Sequence, residues 1–172
     1  EVERALKAGG GRVAAVLVVS PTYHGLLSDV GAIAAVCRAA GVPLIVDEAH
    51  GAHLEFLPAA APLPAGWEEE QRARGALRCG ADVVVQSTHK TCGALTQAAM
   101  LHVSAAALRC DGGSGDGGGG DGGPPYCDGL RGAIDSALEQ VQSSSPSYLL
   151  LASLDAARWQ LAAPRGGGPQ AL

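Results

Sequence analysis

Aromatic side chains are scarce in this chain of 172 residues: two Trp, three Tyr and one Phe amount to 3%. A core has to be assembled from alanine, valine and leucine instead. Basic residues are also few, with 12 Lys and Arg against 17 Asp and Glu and a net charge of −5. Nucleic-acid binders carry a basic surplus, so that class is excluded. No apolar run approaches the ~20 residues of a membrane-crossing helix; the best, Val13 to Val19, has the length of a strand. None of the five cysteines (Cys37, Cys79, Cys92, Cys110, Cys127) forms a C-x-x-C pair, which argues against zinc and disulfide frameworks and for a reducing compartment. The first residue is Glu1 and no secretory leader follows. The expectation is a cytoplasmic or organellar protein (a plastid included), not a secreted one, and a stretch of some larger polypeptide. What the chain does have is 47% hydrophobic residues, too many for a wholly disordered polymer.

Residues 13–19 form a continuous β-branched run that ends at Ser20-Pro21, as expected of a strand buried on both faces of a parallel sheet. From Asp29 to Ala40, apolar residues recur at Val30, Ile33, Ala34, Cys37 and Ala40. That is the helical period, with Ser28 or Asp29 to cap the start and Gly41 to end it. Leu44-Ile45-Val46 is a second buried strand stopping at Asp47, which completes a β-α-β unit with its right-handed crossover. A proline-rich loop at 58–66 and a polar helix from Trp67 to Leu77 lead to a third strand over 81–86 and a fourth over 98–103. A parallel pair needs a crossover of a dozen or more residues, so the short last connection predicts an antiparallel fourth strand. The glycine run 111–125 cannot bury apolar surface and predicts a disordered insertion, not a phosphate cradle. Beyond it, Leu130, Ile134, Leu138 and Val141 share a helical face. A last helix, starting near Ser145-Pro146, buries Leu150, Leu154, Ala157 and Leu161.

Two polar clusters stand where buried strands end: Asp47-Glu48-Ala49-His50-Gly51-Ala52-His53 and Ser87-Thr88-His89-Lys90-Thr91. Open α/β sheets bind ligands at the carboxyl ends of their strands, so both clusters are expected to share a crevice. A lysine desolvated there becomes a nucleophile towards carbonyl compounds. Pyridoxal phosphate chemistry needs such an amine, an acid for the ring nitrogen and donors for the phosphate. Asp47, Lys90 and the pair Ser87 and His89 match those needs. His50 and His53 alone do not make a metal site, and none is expected; His53 and His102 read as structural or surface residues. Cys92 reads as a small core residue.

The stretch Val85-Gln86-Ser87-Thr88-His89-Lys90-Thr91-Cys92-Gly93-Ala94-Leu95-Thr96-Gln97-Ala98-Ala99 resembles the cofactor attachment motif of the ornithine/lysine/arginine decarboxylase family. Ser20-Pro21-Thr22-Tyr23-His24-Gly25, the Asp47 to His53 cluster and Ser143-Ser144-Ser145-Pro146-Ser147-Tyr148 are similar to the same family. The resemblance covers roughly residues 13–103 and 140–158. It implies a three-layer α/β/α sandwich of the fold-type-I kind, with a mostly parallel sheet and one antiparallel strand. It further implies pyridoxal 5'-phosphate bound at Lys90, Asp47 on the ring nitrogen, Ala49 against the ring and His50 beside it. Ser87 and His89 hold the phosphate; Thr22 and His24, which follow a strand end, are on that ground alone further candidates to touch the cofactor. Ser143 and Ser144 reach the partner subunit's site in a homodimer or higher oligomer.

The activity so implied is α-decarboxylation of a basic amino acid (lysine, ornithine or arginine) to the amine and carbon dioxide, without nucleic-acid or membrane partners. Glu48 and Glu55 are the weak candidates for meeting the substrate's side-chain cation. The expected division is a cofactor-binding part at 1–110, the insertion at 111–125, a helical continuation at 126–163 and a flexible tail at 164–172. An upstream phosphate loop and ring-stacking histidine are expected to lie outside this stretch, so that it binds the cofactor poorly alone. The alternatives are another fold-type-I activity, aminotransferase or aldolase, and a non-catalytic remnant that serves as a dimerisation partner.

Overall fold

A computed structural model of the chain describes residues 1–57, 73–108 and 129–162. The four strands are short: β1 Val16–Val19, β2 Leu44–Asp47, β3 Val83–Gln86 and β4 Met100–Val103. They lie in the order β1-β2-β3-β4. The first three are parallel and β4 runs antiparallel to β3. The mostly parallel α/β sheet with one antiparallel strand is therefore as the sequence predicts. The reason is the one anticipated: the 87–99 connection holds only the single-turn helix α3 (Thr88–Thr91), too little to carry the chain back for a parallel strand.

Between β1 and β2, helix α2 (Val30–Ala39) is capped by Asp29, whose Oδ1 accepts from the Ala32 N–H at 2.9 Å. Gly41 follows in the left-handed region, φ 66°. Val30, Ala34 and Cys37 of α2 bury against Leu44, Val46 and Val84, joined by Ala76 and Ala81. Register puts Val18, Val46 and Val84 side by side on that face, and Val19, Asp47, Val85 and Leu101 on the other. On the second face Leu17 is 68% and Val19 50% exposed, so β1 is buried on one face, not two. The amino-terminal helix α1 (Val2–Gly9) packs on α2.

A second core is built almost wholly from small residues. Ala52, Cys92, Ala94 and Ala98 close on Ala157 of the last helix, α6 (Tyr148–Ala162), with Leu154 and Leu161 beside them. Small side chains let the 92–98 loop approach α6 closely, and the Leu95 N–H donates to Ser153 Oγ at 3.2 Å. Cys92 is thus a core residue, and burial pushes its thiol up from the ordinary range. Helix α6 starts at Tyr148, later than Ser145-Pro146. Ser147 Oγ accepts the Leu150 N–H, which leaves Pro146 ahead of the first turn. Helix α5 (Leu130–Val141) buries none of its residues fully, and Val141 is 80% exposed. It meets the short helix α4 (Ala105–Leu108).

The polar helix expected to end at Leu77 is not formed over its described part. Residues 73–75 are irregular, and 75–81 make a hydrogen-bonded turn closed by Gly80 at φ 97°. A buried acceptor captures the Ala76 N–H, and Gly75 weakens any helix there. The loop at 58–66, the insertion at 111–125 and the tail at 164–172 lie outside the described residues. Among the described residues, no helix is long and apolar enough to cross a membrane.

Candidate functional site at the ends of β2 and β3

Asp47 ends β2 with its Oδ1 accepting the Ala49 N–H at 3.0 Å. This Asx turn satisfies a donor that the strand no longer can. The second oxygen, Oδ2, has no hydrogen-bond partner among the described residues. The chain then folds back through Gly51, whose N–H donates to the Glu48 carbonyl at 2.9 Å. A Cβ on Gly51 would lie 2.6 Å from both Glu48 Cγ and Pro21 Cδ. Only glycine lets the His50 turn sit down on the two strand ends. Gly51→Ala is expected to lower stability by about 1–3 kcal/mol, as overpacking does, read as a fall in the denaturant midpoint. Gly11→Ala, where a Cβ meets nothing within 4 Å, is the control.

The end of β1 joins the same place. The Ser20 N–H donates to the Asp47 carbonyl at 3.0 Å, and Ser20 Oγ accepts the Ser28 N–H. Tyr23 meets both His24 and His50 edge-on at centroid distances of 5.4 Å. At the end of β3, Ser87 precedes α3 without using its hydroxyl as a cap. The His89 N–H and Nδ1 both turn to the Ala98 carbonyl, at 3.2 and 2.9 Å. That assigns the ring proton to Nδ1 and leaves Nε2 for another partner. Lys90 Nζ lies 3.3 Å from His50 Nε2, so the two clusters meet across the strand ends, as the sequence predicts for a shared crevice.

Asp47, Ala49, His50, Ser87, His89 and Lys90 are thereby brought to adjoining strand ends. Ser143 and Ser144 are exposed between α5 and α6, and Ser143 Oγ accepts the Ser145 N–H. Among the described residues no hydrogen bond ties them to the cluster. Two expectations need correction. Lys90 is exposed and not buried at the strand end, because the single turn of α3 buries Thr88 instead. Glu48 and Glu55 are not free to meet a substrate cation: Glu48 is 1% exposed with both oxygens engaged, and Glu55 pairs with Arg78 at 2.6 Å.

What the sequence reading missed is the other face of these strand ends. Glu48 Oε1 accepts the Ala76 N–H at 2.7 Å and Oε2 accepts from Gln86 Nε2 at 2.6 Å; Gln86 Oε1 in turn faces His102 Nε2 at 3.0 Å. Burial pushes the Glu48 carboxyl up, while the Gln86 and Ala76 donors pull the other way. Burial pushes His102 down. The signal was present: of two consecutive carboxylates at a buried strand end, period two sends one inward. A cavity of about 500 Å³ opens on this face, lined by Glu48, Gln86, Thr88, Met100 and His102 among others. Neither Asp47 nor Lys90 lines it. Among the described residues no three His, Cys, Asp or Glu side chains gather to hold a metal.

Comparison with known proteins adds independent information. The family described as Orn/Lys/Arg decarboxylase, major domain, matches residues 2–167. The arginine decarboxylase of Bacillus subtilis (strain 168) is 32% identical over 146 residues, covering 85% of this chain and 23% of that protein. The arginine decarboxylase of Halalkalibacterium halodurans is 35% identical over 148 residues, with the same coverage of 85% and 23%. The Bacillus subtilis protein YaaO is 35% identical over 142 residues, covering 83% of this chain and 23% of that protein. The chain thus spans less than a quarter of the length of these curated relatives.

Proposed function

This chain belongs to the Orn/Lys/Arg decarboxylase family, and from that premise we propose that it carries the cofactor-holding residues of a pyridoxal-phosphate-dependent decarboxylase acting on a basic amino acid. Arginine is the first substrate to test, because two of the relatives above bear that name. The observation that carries the proposal is the meeting of Lys90 and His50 at 3.3 Å beside the Asp47 strand end. The donor set suits the cofactor: an amine for its aldehyde, a carboxylate oxygen for its ring nitrogen, and the Ser87 hydroxyl and His89 Nε2 for its phosphate.

When bound, pyridoxal phosphate supplies an electron sink for the bond between Cα and the departing carboxylate. The protein's own groups do the rest. Lys90 anchors the cofactor and His50, through Nε2, orients and shares a proton with its amine. Asp47 holds a proton at the ring nitrogen with Oδ2, while Oδ1 keeps the turn. Ala49 offers a small side chain on which a flat ring can lie. Ser143 and Ser144, exposed and without a hydrogen bond to this cluster among the described residues, serve the partner's site in a homodimer. Borohydride reduction of the full-length protein with pyridoxal phosphate, followed by peptide mapping, is expected to place the label on Lys90. A label on Lys7, the only other lysine of the chain, would overturn the assignment.

A further inference from the structure

The strand ends at the site are two-sided. Asp47 and Ala49 alternate with Glu48, and Ser87 stands between Gln86 and Thr88. Glu48 is buried to 1% exposure, and its two oxygens reach different parts of the chain: the turn before β3 through Ala76, and β3 itself through Gln86. Through Gln86 the chain of hydrogen bonds continues to His102 on β4. The backbone doubles the connection, since the Glu48 N–H donates to the Val85 carbonyl at 2.8 Å. Burying a carboxylate is costly, and an apolar residue of similar size is often as stable or more so. What the carboxylate provides is direction. It can only accept from Ala76 and Gln86, which fixes the amide of Gln86 and makes His102 the donor at Nε2.

We propose that Glu48 is a positioning residue that works from the sheet face opposite Asp47. Its buried carboxyl clamps the β2 end carrying Asp47 and His50 to the β3 end carrying Ser87 and Lys90. This rests on the cofactor site proposed above. The clamp sets the spacing between the group that meets the ring nitrogen and the group that anchors the aldehyde. A pyridine ring is rigid, so its affinity depends on that spacing.

The test uses the full-length protein and three variants, Glu48→Leu, Gln86→Leu and Glu48→Gln, with two readouts. One is the dissociation constant for pyridoxal phosphate together with the visible circular dichroism of the bound cofactor. The other is hydrogen exchange of the peptides covering 47–50 and 87–90. Glu48→Leu and Gln86→Leu are expected to weaken cofactor binding roughly 10- to 100-fold, the size of a lost hydrogen bond to a charged group, to change the dichroic band and to speed exchange in both peptides. Glu48→Gln is expected to stay within about threefold. Its oxygen accepts from Ala76, its amide donates to a flipped Gln86, and Gln86 then donates to neutral His102. If Glu48→Leu does not fold, Gln86→Leu against Glu48→Gln decides. Unchanged binding and exchange in Gln86→Leu, or an equal loss in Glu48→Gln, would overturn the clamp. Were the unaltered protein not to bind the cofactor, the site would fail, yet exchange would still report on the clamp.

Discussion

Lys90→Ala in the full-length protein is expected to abolish borohydride-trapped cofactor and to cut turnover by ~10³-fold or more, about 4 kcal/mol of transition-state stabilisation. The size follows from the anchoring role proposed for the residue, since no other amine of this chain stands at the strand ends. Lys7 sits on α1, paired with Glu3 at 2.6 Å. Folding is expected to be nearly untouched. Lys90 is exposed on a single-turn helix, where alanine is the best helix former, and His50 keeps its edge-on contact with Tyr23. Unfolding midpoint and turnover therefore separate the chemical role from a structural one. Lys7→Ala is the control and is expected to leave turnover intact. Turnover within tenfold of the unaltered protein in Lys90→Ala would remove the residue from the chemistry.

Asp47→Asn is expected to slow turnover by ~10²–10³-fold while binding of the amino acid changes far less. Breaking a buried ion pair by removing one charge costs about 3–5 kcal/mol, and on the role proposed for Asp47 most of that cost falls where charge builds up on the ring. The structure sharpens the experiment, because Asp47 Oδ1 accepts the Ala49 N–H at 3.0 Å. An asparagine oxygen accepts equally well, so the turn survives and only the charge is lost. Asp82 is unsuitable as the control. It is 6% exposed and Oδ2 accepts the Leu44 N–H at 2.9 Å, holding β3 to the start of β2. Asp155, an exposed partner of Arg158 on α6, serves instead. Equal, mild effects from Asp47→Asn and Asp155→Asn would leave Asp47 as a turn cap alone.

Part of the architecture was legible because it is written in local signals. The apolar runs at 13–19, 44–46 and 81–86, the Asp29 cap and the left-handed Gly41 each act over a few residues, and each has its counterpart in the fold, with the first and third strands shorter than their runs, at Val16–Val19 and Val83–Gln86. The antiparallel β4 followed from chain length alone. Failures arise where a local preference met a tertiary partner. The helix expected to end at Leu77 is not formed over its described part, where the Ala76 N–H is drawn to Glu48, a residue distant in sequence. Gln97 shows the same conflict, held at φ 77° where a side chain is strained. Its neighbour Ala98 is locked between His89 and the alanines of the second core.

The sequence by itself determined the type of sheet, the family and the residues offered at two strand ends, because periodicity, caps and a long motif depend on nearest neighbours along the chain. It could not decide how those residues are divided between the sheet's two faces, nor what each one touches. Only register did that, by setting Asp47 beside Val85. One carboxylate then shares a face with Val19 and Val85, and the next is buried against Gln86 and Ala76. The nearness of Lys90 to His50 also belongs to the tertiary structure, since it needs Gly51 to let one turn settle on another. Hydrogen bonds and close packing act across space between segments far apart in sequence, and a linear pattern carries no record of which segments will meet.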